Sequence, residues 1–482
     1  MSESSTPSES PRLAVIGGGI SGLTAAYRLT QLLPQAHIEL FEADERLGGV
    51  LHTHRDDRLL IEYGADSFLA NLPAAVDLCR ELGLGDEIIP TNETPRRALV
   101  LHEGKLHRVP EGFVQMQPGR YGPMLSTRLL SWRGKLRLLA ERWISSPAAL
   151  TEESFDESVA SFATRRLGRE VFERMVQPLL AGIYTADPYQ LSVAATMPTV
   201  IESERKHGSL RRARLAQRKK AGKNDASGSG ARYGRFVTLR DGLASLIETL
   251  ADRLSSASVQ LNSPIDRVAQ TSGDRWMVSL SGGAEVSPFD GVIVALPAPH
   301  AGQILVAADS ELSDSLQAIP YASSAVVCLV YRRDQISDPL EGFGMVVPTV
   351  EARQIVAASF SSLKFPGRAA TDQVLIRVFV GGALQAELLD RTDAEILNLA
   401  EAELSEILGI RGEPLRADLV RWQQKMPQYH VGHVQLVDRI EGLVGKQPGL
   451  ELAGNAYRGV GIPQCVLSGD SAARRLASTL RG

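Results

Sequence analysis

Apolar residues along the chain follow two rhythms. Short β-branched and aliphatic runs, bounded by glycine, proline or acidic residues, predict strands at 12–16 (RLAVI), 37–41 (HIELF), 259–268, 289–297, 325–331 (AVVCLVY) and 374–380 (VLIRVFV). Residues 96–102 and 105–110, on either side of a Glu-Gly turn, predict a hairpin. Apolar positions recurring every three to four residues predict helices at 23–29, at 74–82 with Gly83 and Gly85 bracketing the end, through most of 125–195, at 393–408 and at 471–476. Strand, helix and strand open the chain, which predicts a βαβ unit in an α/β fold. The run 289–297 is apolar throughout, as a strand buried on both faces must be, and is expected to rejoin that first sheet. So is the segment after Leu450, while the strands between 298 and 428 predict a second sheet.

The first turn carries chemistry. Its glycines fall as Gly17-x-Gly19-x-x-Gly22, spaced for a tight turn, close backbone approach to a pyrophosphate and close packing of the helix. The helix start then offers N–H groups and the positive end of its dipole to phosphate. Glu42 ends the second strand about 20 residues on, where the dinucleotide fold places an acid against ribose hydroxyls. The plainer alternative is a glycine-rich strand-to-helix turn with a solvated Glu42. Past Glu42 comes ERLGG (45–49), then IEYGADSF (61–68). An arginine with paired glycines there resembles the extended fingerprint of FAD-containing amine-oxidase-type enzymes. Arg46 would neutralise pyrophosphate, and Gly48 and Gly49 would let the chain pass close to the flavin. A surface Gly-Gly turn beside an exposed arginine is the alternative.

The 482 residues exceed what one core supports, so two or three lobes are expected. A net charge of −4 argues against a general nucleic-acid binder. Cys79, Cys328 and Cys465 are isolated, which suits a reducing compartment and buried apolar roles. Without an uninterrupted apolar run of about 18 residues no transmembrane helix is predicted. The polar, acidic residues 1–10 read as a disordered leader rather than a signal peptide, and the protein as cytoplasmic. Neither a Ser-His-Asp order nor an HExxH helix nor a metal-ligand cluster stands out, which fits chemistry carried by a cofactor.

Three further features admit two readings each. Arg96 and Arg97 open a strand, as carboxylate binders or as a solvated strand end. The stretch 129–139 (LLSWRGKLRLL), with Trp132 and Trp143, forms either a basic amphipathic face for a membrane interface or the charged outside of a packed helix. Residues 205–231, rich in Lys and Arg and ending in Gly and Ser, read as a mobile surface loop, with anionic lipid or a carboxylated substrate as a better partner than nucleic acid.

The segment GNAYRGVGIPQC (454–465), followed by Ser468-Gly469 and Ala472-Ala473, resembles the closing signature of the oxygen-dependent protoporphyrinogen/coproporphyrinogen oxidases. Stretches 63–68, 178–188 with Gly182 and Tyr184, Gly208-Ser209, 342–348, 380–382 and 426–433 (MPQYHVGH) agree in order. The resemblance implies a Rossmann-type, p-hydroxybenzoate-hydroxylase-like FAD-binding domain at 11–93, 233–299 and 432–482. It adds a mixed-sheet substrate domain at 94–110 and 300–431, a helical membrane-docking domain at 111–204 and a basic flexible loop at 205–232. FAD contacts are then expected at Gly17, Gly18, Gly19, Ile20, Ser21, Gly22, Glu42, Ala43, Arg46, Gly48, Gly49 and Val50. Others fall at the turn Gly64, Ala65, Asp66 and Ser67, at Val268 and Trp422, and at Val460, Gly461 and Ile462. Arg97 matches a position that pairs with a substrate propionate, and Gly182 one whose carbonyl accepts from a pyrrole N–H. Phe343, Val346 and Phe379 match apolar positions that hold the ring. Ala65, where proline is frequent, and the long basic 205–231 stretch depart from the family pattern.

The implied reaction takes hydride from a meso carbon of the porphyrinogen to FAD, releases a pyrrole proton, and passes the electrons to O₂ as H₂O₂. Three cycles remove six electrons and six hydrogens. No catalytic acid, base or metal is assigned. The expected partners are the porphyrinogen, O₂ and a peripheral contact on the inner face of the cell membrane, with handover to a chelatase and a homodimer left open. Protoporphyrinogen IX, with two carboxylates, and coproporphyrinogen III, with four, both remain as substrates. Rival readings are another FAD enzyme, an amine oxidase or carotenoid desaturase, and a non-enzymatic binding protein on the same scaffold.

Overall fold

The structure, a computed structural model, describes residues 10–93, 97–114, 117–118, 121–147, 150, 152, 155–221, 236–271 and 273–481. The predicted leader up to residue 9, Arg96 and residues 222–235 lie outside the described residues. A five-stranded parallel sheet forms the base of the nucleotide side, in the order Ala257–Gln260, His37–Phe41, Arg12–Ile16, Gly291–Val294, Leu450–Leu452. The apolar run ending at Pro297 and the C-terminal segment therefore do return to the first strand. Successive residues of a strand face opposite ways, so Arg12–Ile16 supplies two cores at once. Leu13 and Val15 pack with the helices Ile20–Leu32, Ala244–Asp252 and Ile462–Thr479. Ala14 and Ile16 pack with the three-stranded meander around Trp276 and the helices Ala298–Leu305, Ser310–Gln317 and His433–Val444. Covered on both faces, the strand is apolar throughout from Leu13 to Ile16.

A seven-stranded mixed sheet follows, ordered Arg416–Pro427, Tyr321–Arg332, Gln373–Gly381, Ala357–Phe360, Gly344–Val346, Ala98–His102, Lys105–Arg108. The hairpin predicted around the Glu-Gly turn is its outer edge. One face rests on the helix Asp393–Leu408, whose start is fixed by a capping box between Thr392 and Glu395. Alternate residues, among them Val326, Cys328 and Leu375, pack on Ile61 and Tyr63 of the nucleotide side. Residues 121–221 are largely helical around Phe162, Phe172 and Met175. Within 169–184 the helix widens to a π-helical turn at Phe172–Val176, a local irregularity often found beside functional sites.

The basic stretch corrects the expectation of a flexible loop at 205–232. Its first part completes the helix Pro198–His207, and Leu210–Ala221 forms another. The cause lies far along the chain: buried Glu141 accepts from Ser209 Oγ (2.8 Å), Leu210 N (2.9 Å) and Arg211 N (3.3 Å), capping the second helix, while Leu210 and Ala213 turn into the helical core. Fully buried Arg166 lies between Glu141 and Glu204 and ties both helices to Val159–Leu167. The three cysteines are free and buried. Among the described residues no helix is long and apolar enough to cross a membrane, and no group of acidic, histidine or cysteine side chains is placed to hold a metal ion.

Candidate active site between the glycine turn and the second sheet

The glycine turn is built by contacts that leave no room for a side chain. A Cβ on Gly22 would stand 1.9 Å from the Gly17 carbonyl oxygen, whereas one on Gly19 would meet nothing within 4 Å. Gly19 begins Ile20–Leu32, and no side chain caps the N–H groups there. Glu42 braces the turn, accepting from Gly18 N (2.6 Å) and Asp44 N (2.9 Å). Each carboxylate oxygen keeps a second lone pair for a hydroxyl. Gly48 N donates to Gly18 O (2.8 Å), and Gly19 and Gly48 form a parallel bridge, so the second glycine pair lies against the first turn. Arg46 is half-buried and donates to the carbonyls of Leu47, Gly49 and Leu51. Burial pulls its pKa down although Asp44, Glu42 and Glu45 lie near. Open space at Gly19, uncapped N–H groups and a cation held by carbonyls alone fit a pyrophosphate-bearing cofactor.

The Gly64–Ser67 turn faces the second sheet. Trp422 Nε1 donates to Tyr63 O (2.9 Å), and Arg377 donates to Gly64 O. Asp66 pairs with Lys364 (2.9 Å) and Arg377 (3.1 Å), and Lys364 also donates to Ser67 Oγ (3.0 Å). Burial alone would push the Asp66 carboxyl up, but the two cations outweigh it and hold it well below the carboxylate range. The Asp66 and Ser67 side chains are thus already engaged, leaving the backbone of the turn as the part open to a ligand. Val268 is fully buried in the meander opposite Val278, and Ala43 and Val50 flank the glycines at the surface and half-buried.

At the C-terminus the helix is longer than 471–476. It runs Ile462–Thr479 with Gly461 at its cap and Pro463 in its first turn. Gly469 crosses the glycine-turn helix so closely that a Cβ would lie 2.2 Å from Ser21 O. Seven residues, about 10 Å of helix, separate that crossing from Ile462, and Val460 and Gly461 lie just before it. Tyr457 Oη and Gln464 Oε1, buried on this segment, have no hydrogen-bond partner among the described residues.

On the second sheet Val346, Ala357, Phe379, Val326 and Val420 stand opposite one another across five strands, forming one row on one face. The helix Gln177–Tyr184 sets Gly182 over this row: a Cβ there would lie 3.5 Å from Val346 and 3.9 Å from Ala357. Gly182, Val346 and Phe379 are therefore brought together. Arg97 is exposed immediately before Ala98–His102, and its carbonyl accepts from Phe343 N (2.8 Å). Phe343 is buried at the alternate register to Val346, so the structure does not bring it into the row. The sequence reading missed Arg377, whose guanidinium lies 5.4 Å from the Phe379 ring. A lone arginine inside VLIRVFV was the available signal.

Residues 20–477 match the family model of flavin containing amine oxidoreductases. The chain is 32% identical to a coproporphyrinogen III oxidase of Bacillus subtilis (strain 168), over 95% of this chain and 96% of that protein. It is 27% identical to protoporphyrinogen oxidase 2 of Arabidopsis thaliana, over 97% and 94% of the two chains. Among solved structures, a protein from Exiguobacterium sp. 255-15 provisionally named protoporphyrinogen oxidase aligns with a TM-score of 0.85 and 31% identity, over 97% of this chain and 99% of that one. Cyclohexylamine oxidase from Brevibacterium oxydans IH-35A, at 16% identity and a TM-score of 0.69, shares the fold.

Proposed function

Because the chain belongs to the flavin containing amine oxidoreductase family and is an FAD-dependent oxidoreductase, we propose that it oxidises a porphyrinogen, specifically coproporphyrinogen III, to the porphyrin. The observation that carries the choice is the near full-length likeness, at 31–33% identity, to proteins named coproporphyrinogen III oxidase from three bacteria. FAD, when bound, supplies a two-electron acceptor that O₂ restores with release of H₂O₂, so three rounds remove the six electrons and six hydrogens by which porphyrinogen and porphyrin differ.

The chain's own residues bind and orient. The N–H groups at Gly19–Gly22 and the Arg46 charge take the pyrophosphate, and Glu42 takes ribose hydroxyls. The backbone at Gly64–Ser67, with Trp422 and the segment Val460, Gly461 and Ile462, closes on the ring system. The row through Val346 and Phe379 forms an apolar wall for a flat tetrapyrrole. Gly182 offers its carbonyl to a pyrrole N–H, and Arg97 a charge to a propionate. No side chain is given the role of acid or base: held against that wall, the substrate loses its proton to a neighbouring pyrrole or to water. Initial rates of porphyrin fluorescence with the two porphyrinogens test the reading. Faster turnover of coproporphyrinogen III is expected, and faster turnover of protoporphyrinogen IX would overturn the choice.

We also propose a peripheral contact with the inner face of the cell membrane. Trp132 and Trp143 are 65% and 66% exposed, with Arg133 and Arg142 stacked 5.3 Å and 3.8 Å from their rings. Indole beside guanidinium suits the headgroup layer. Sedimentation with phosphatidylglycerol vesicles should fall when both tryptophans become alanine. Unchanged sedimentation would remove the contact.

A further inference from the structure

The motif MPQYHVGH (426–433) is given no contact with cofactor or substrate in the proposed function, yet three parts of the molecule meet at it. Gln428 N donates to Pro320 O (2.8 Å) beside the long strand Tyr321–Arg332 of the second sheet. Ser192 N donates to Tyr429 O (2.7 Å) and Val431 N to Gln190 O (2.9 Å), joining the motif to the helical part. The Tyr429 side chain packs in the helical core, and it and His433 both reach the stretch that links strand Leu450–Leu452 to the helix Ile462–Thr479. Their rings stack with centroids 3.9 Å apart and planes 14° from parallel. Both are buried, at 2% and 4% exposure.

Between them the two rings hold three backbone groups. Tyr429 Oη donates to Asn455 O and accepts from Gly459 N (2.9 Å). His433 Nε2 lies 3.1 Å from Tyr457 O. A carbonyl only accepts, so the imidazole is the Nε2–H tautomer, and burial keeps it neutral, its pKa lowered to about 4. The Tyr457 bond is buried and the two Tyr429 bonds are part-buried, so water replaces a lost partner less well there than at the surface.

We propose that Tyr429 and His433 are positioning residues for the flavin: they clasp the backbone at Asn455, Tyr457 and Gly459 and so fix Val460, Gly461 and Ile462 at the cofactor. The inference rests on the reading that this last segment touches FAD. Neither side chain need touch the cofactor itself.

The test uses holoenzyme, with FAD release on dilution followed by flavin fluorescence and the bound flavin's environment by visible circular dichroism. Tyr429→Phe keeps the stack and removes both hydroxyl bonds. FAD release is expected to rise about tenfold or more, with an altered visible dichroism, while the far-ultraviolet spectrum holds and kcat falls more than KM rises. His433→Ala should act in the same direction, and His433→Gln, which can still donate to Tyr457 O, should restore part of the affinity. Should Tyr429→Phe fail to fold, the pair of His433 variants decides. Wild-type-like FAD release and dichroism in the folded variants, with wild type yellow, would overturn the clasp alone. A wild type that holds no FAD would overturn the flavin reading together with it.

Discussion

At the glycine turn the chain makes a site by leaving atoms out, whereas along Val346, Ala357 and Phe379 it makes one by putting them in. The first is backbone packed on backbone, with Gly22 against Gly17 and Gly48 against Gly18. At Gly17, Gly22 and Gly48 the obstructing atoms are backbone and cannot move aside, so tolerance there ends at a single methyl group. The second is a row of side chains on separate strands, each backed by its own sheet neighbours. Shrinking one such side chain leaves the strands in register and the remaining wall in place. Cofactor seating should therefore fail abruptly under mutation and substrate seating by degrees.

The sharpest way to break this contrast is Gly22→Ala. Its Cβ, 1.9 Å from a carbonyl oxygen, forces the turn open, and FAD affinity is expected to fall at least about a hundredfold through lost phosphate contacts. Phe379→Ala should leave bound flavin per chain unchanged and weaken substrate by roughly tenfold. Both are measured as flavin absorbance after gel filtration and as KM. Comparable flavin loss in the two variants would end the distinction.

Acid sharpens it next, because the link between the regions contains a buried neutral imidazole. The folded pKa of His433, about 4, lies below its ordinary 6.5, since burial disfavours the charged ring. Between those values the unfolded chain takes up a proton that the folded chain does not. Stability is then complete above pH 6.5 and is lost as pH falls toward 4, by on the order of 3 kcal/mol. His52, His107, His300 and His430 are also held low and add in the same sense. The informative measurement is therefore the difference between wild type and His433→Gln in urea midpoint at pH 7.5 and pH 4.5, where the variant should lose less. Asp66, held low, adds its own loss only below its ordinary 3.8.

The same contrast explains what could be read in advance. A backbone-built turn dictates residue type at fixed spacing, so Gly17, Gly19, Gly22 and Glu42 stand out from one stretch of chain, although Ala295 and Gln260, far along the chain, also press on them. The row on the second sheet depends on the register of five strands, and no local spacing reports that Gly182 lies over Val346. At residues 205–221 the local signals are a Ser209 cap, which accepts from Arg212 N (3.4 Å), and a run of helix formers, but the charge of that run reads as a loop until Glu141 and Arg166, far along the chain, fix it in place. The start of the last helix at Ile462 has a local signal, Gly461 as cap and Pro463 in the first turn, but apolar periodicity alone predicts only 471–476. Arg377 stood in plain view inside an apolar strand, but its partner Asp66 belongs to the other side of the molecule.

The smallest effect expected is at Arg97, just before the strand Ala98–His102 on the substrate side. The side chain is exposed at the mouth of a strand and its backbone already holds Phe343 N. An exposed guanidinium gains little from any one carboxylate, because water competes and salt screens it. Arg97→Ala should therefore raise KM for coproporphyrinogen III only roughly threefold to tenfold and leave kcat near its wild-type value, since a propionate contact is the same before and during the oxidation. The rise should shrink as salt is added to wild type, whose own KM climbs toward the variant's. A fall in kcat instead would mean that Arg97 sets the pose of the ring against the wall rather than merely holding its rim, and the substrate face would then share the intolerance of the glycine turn.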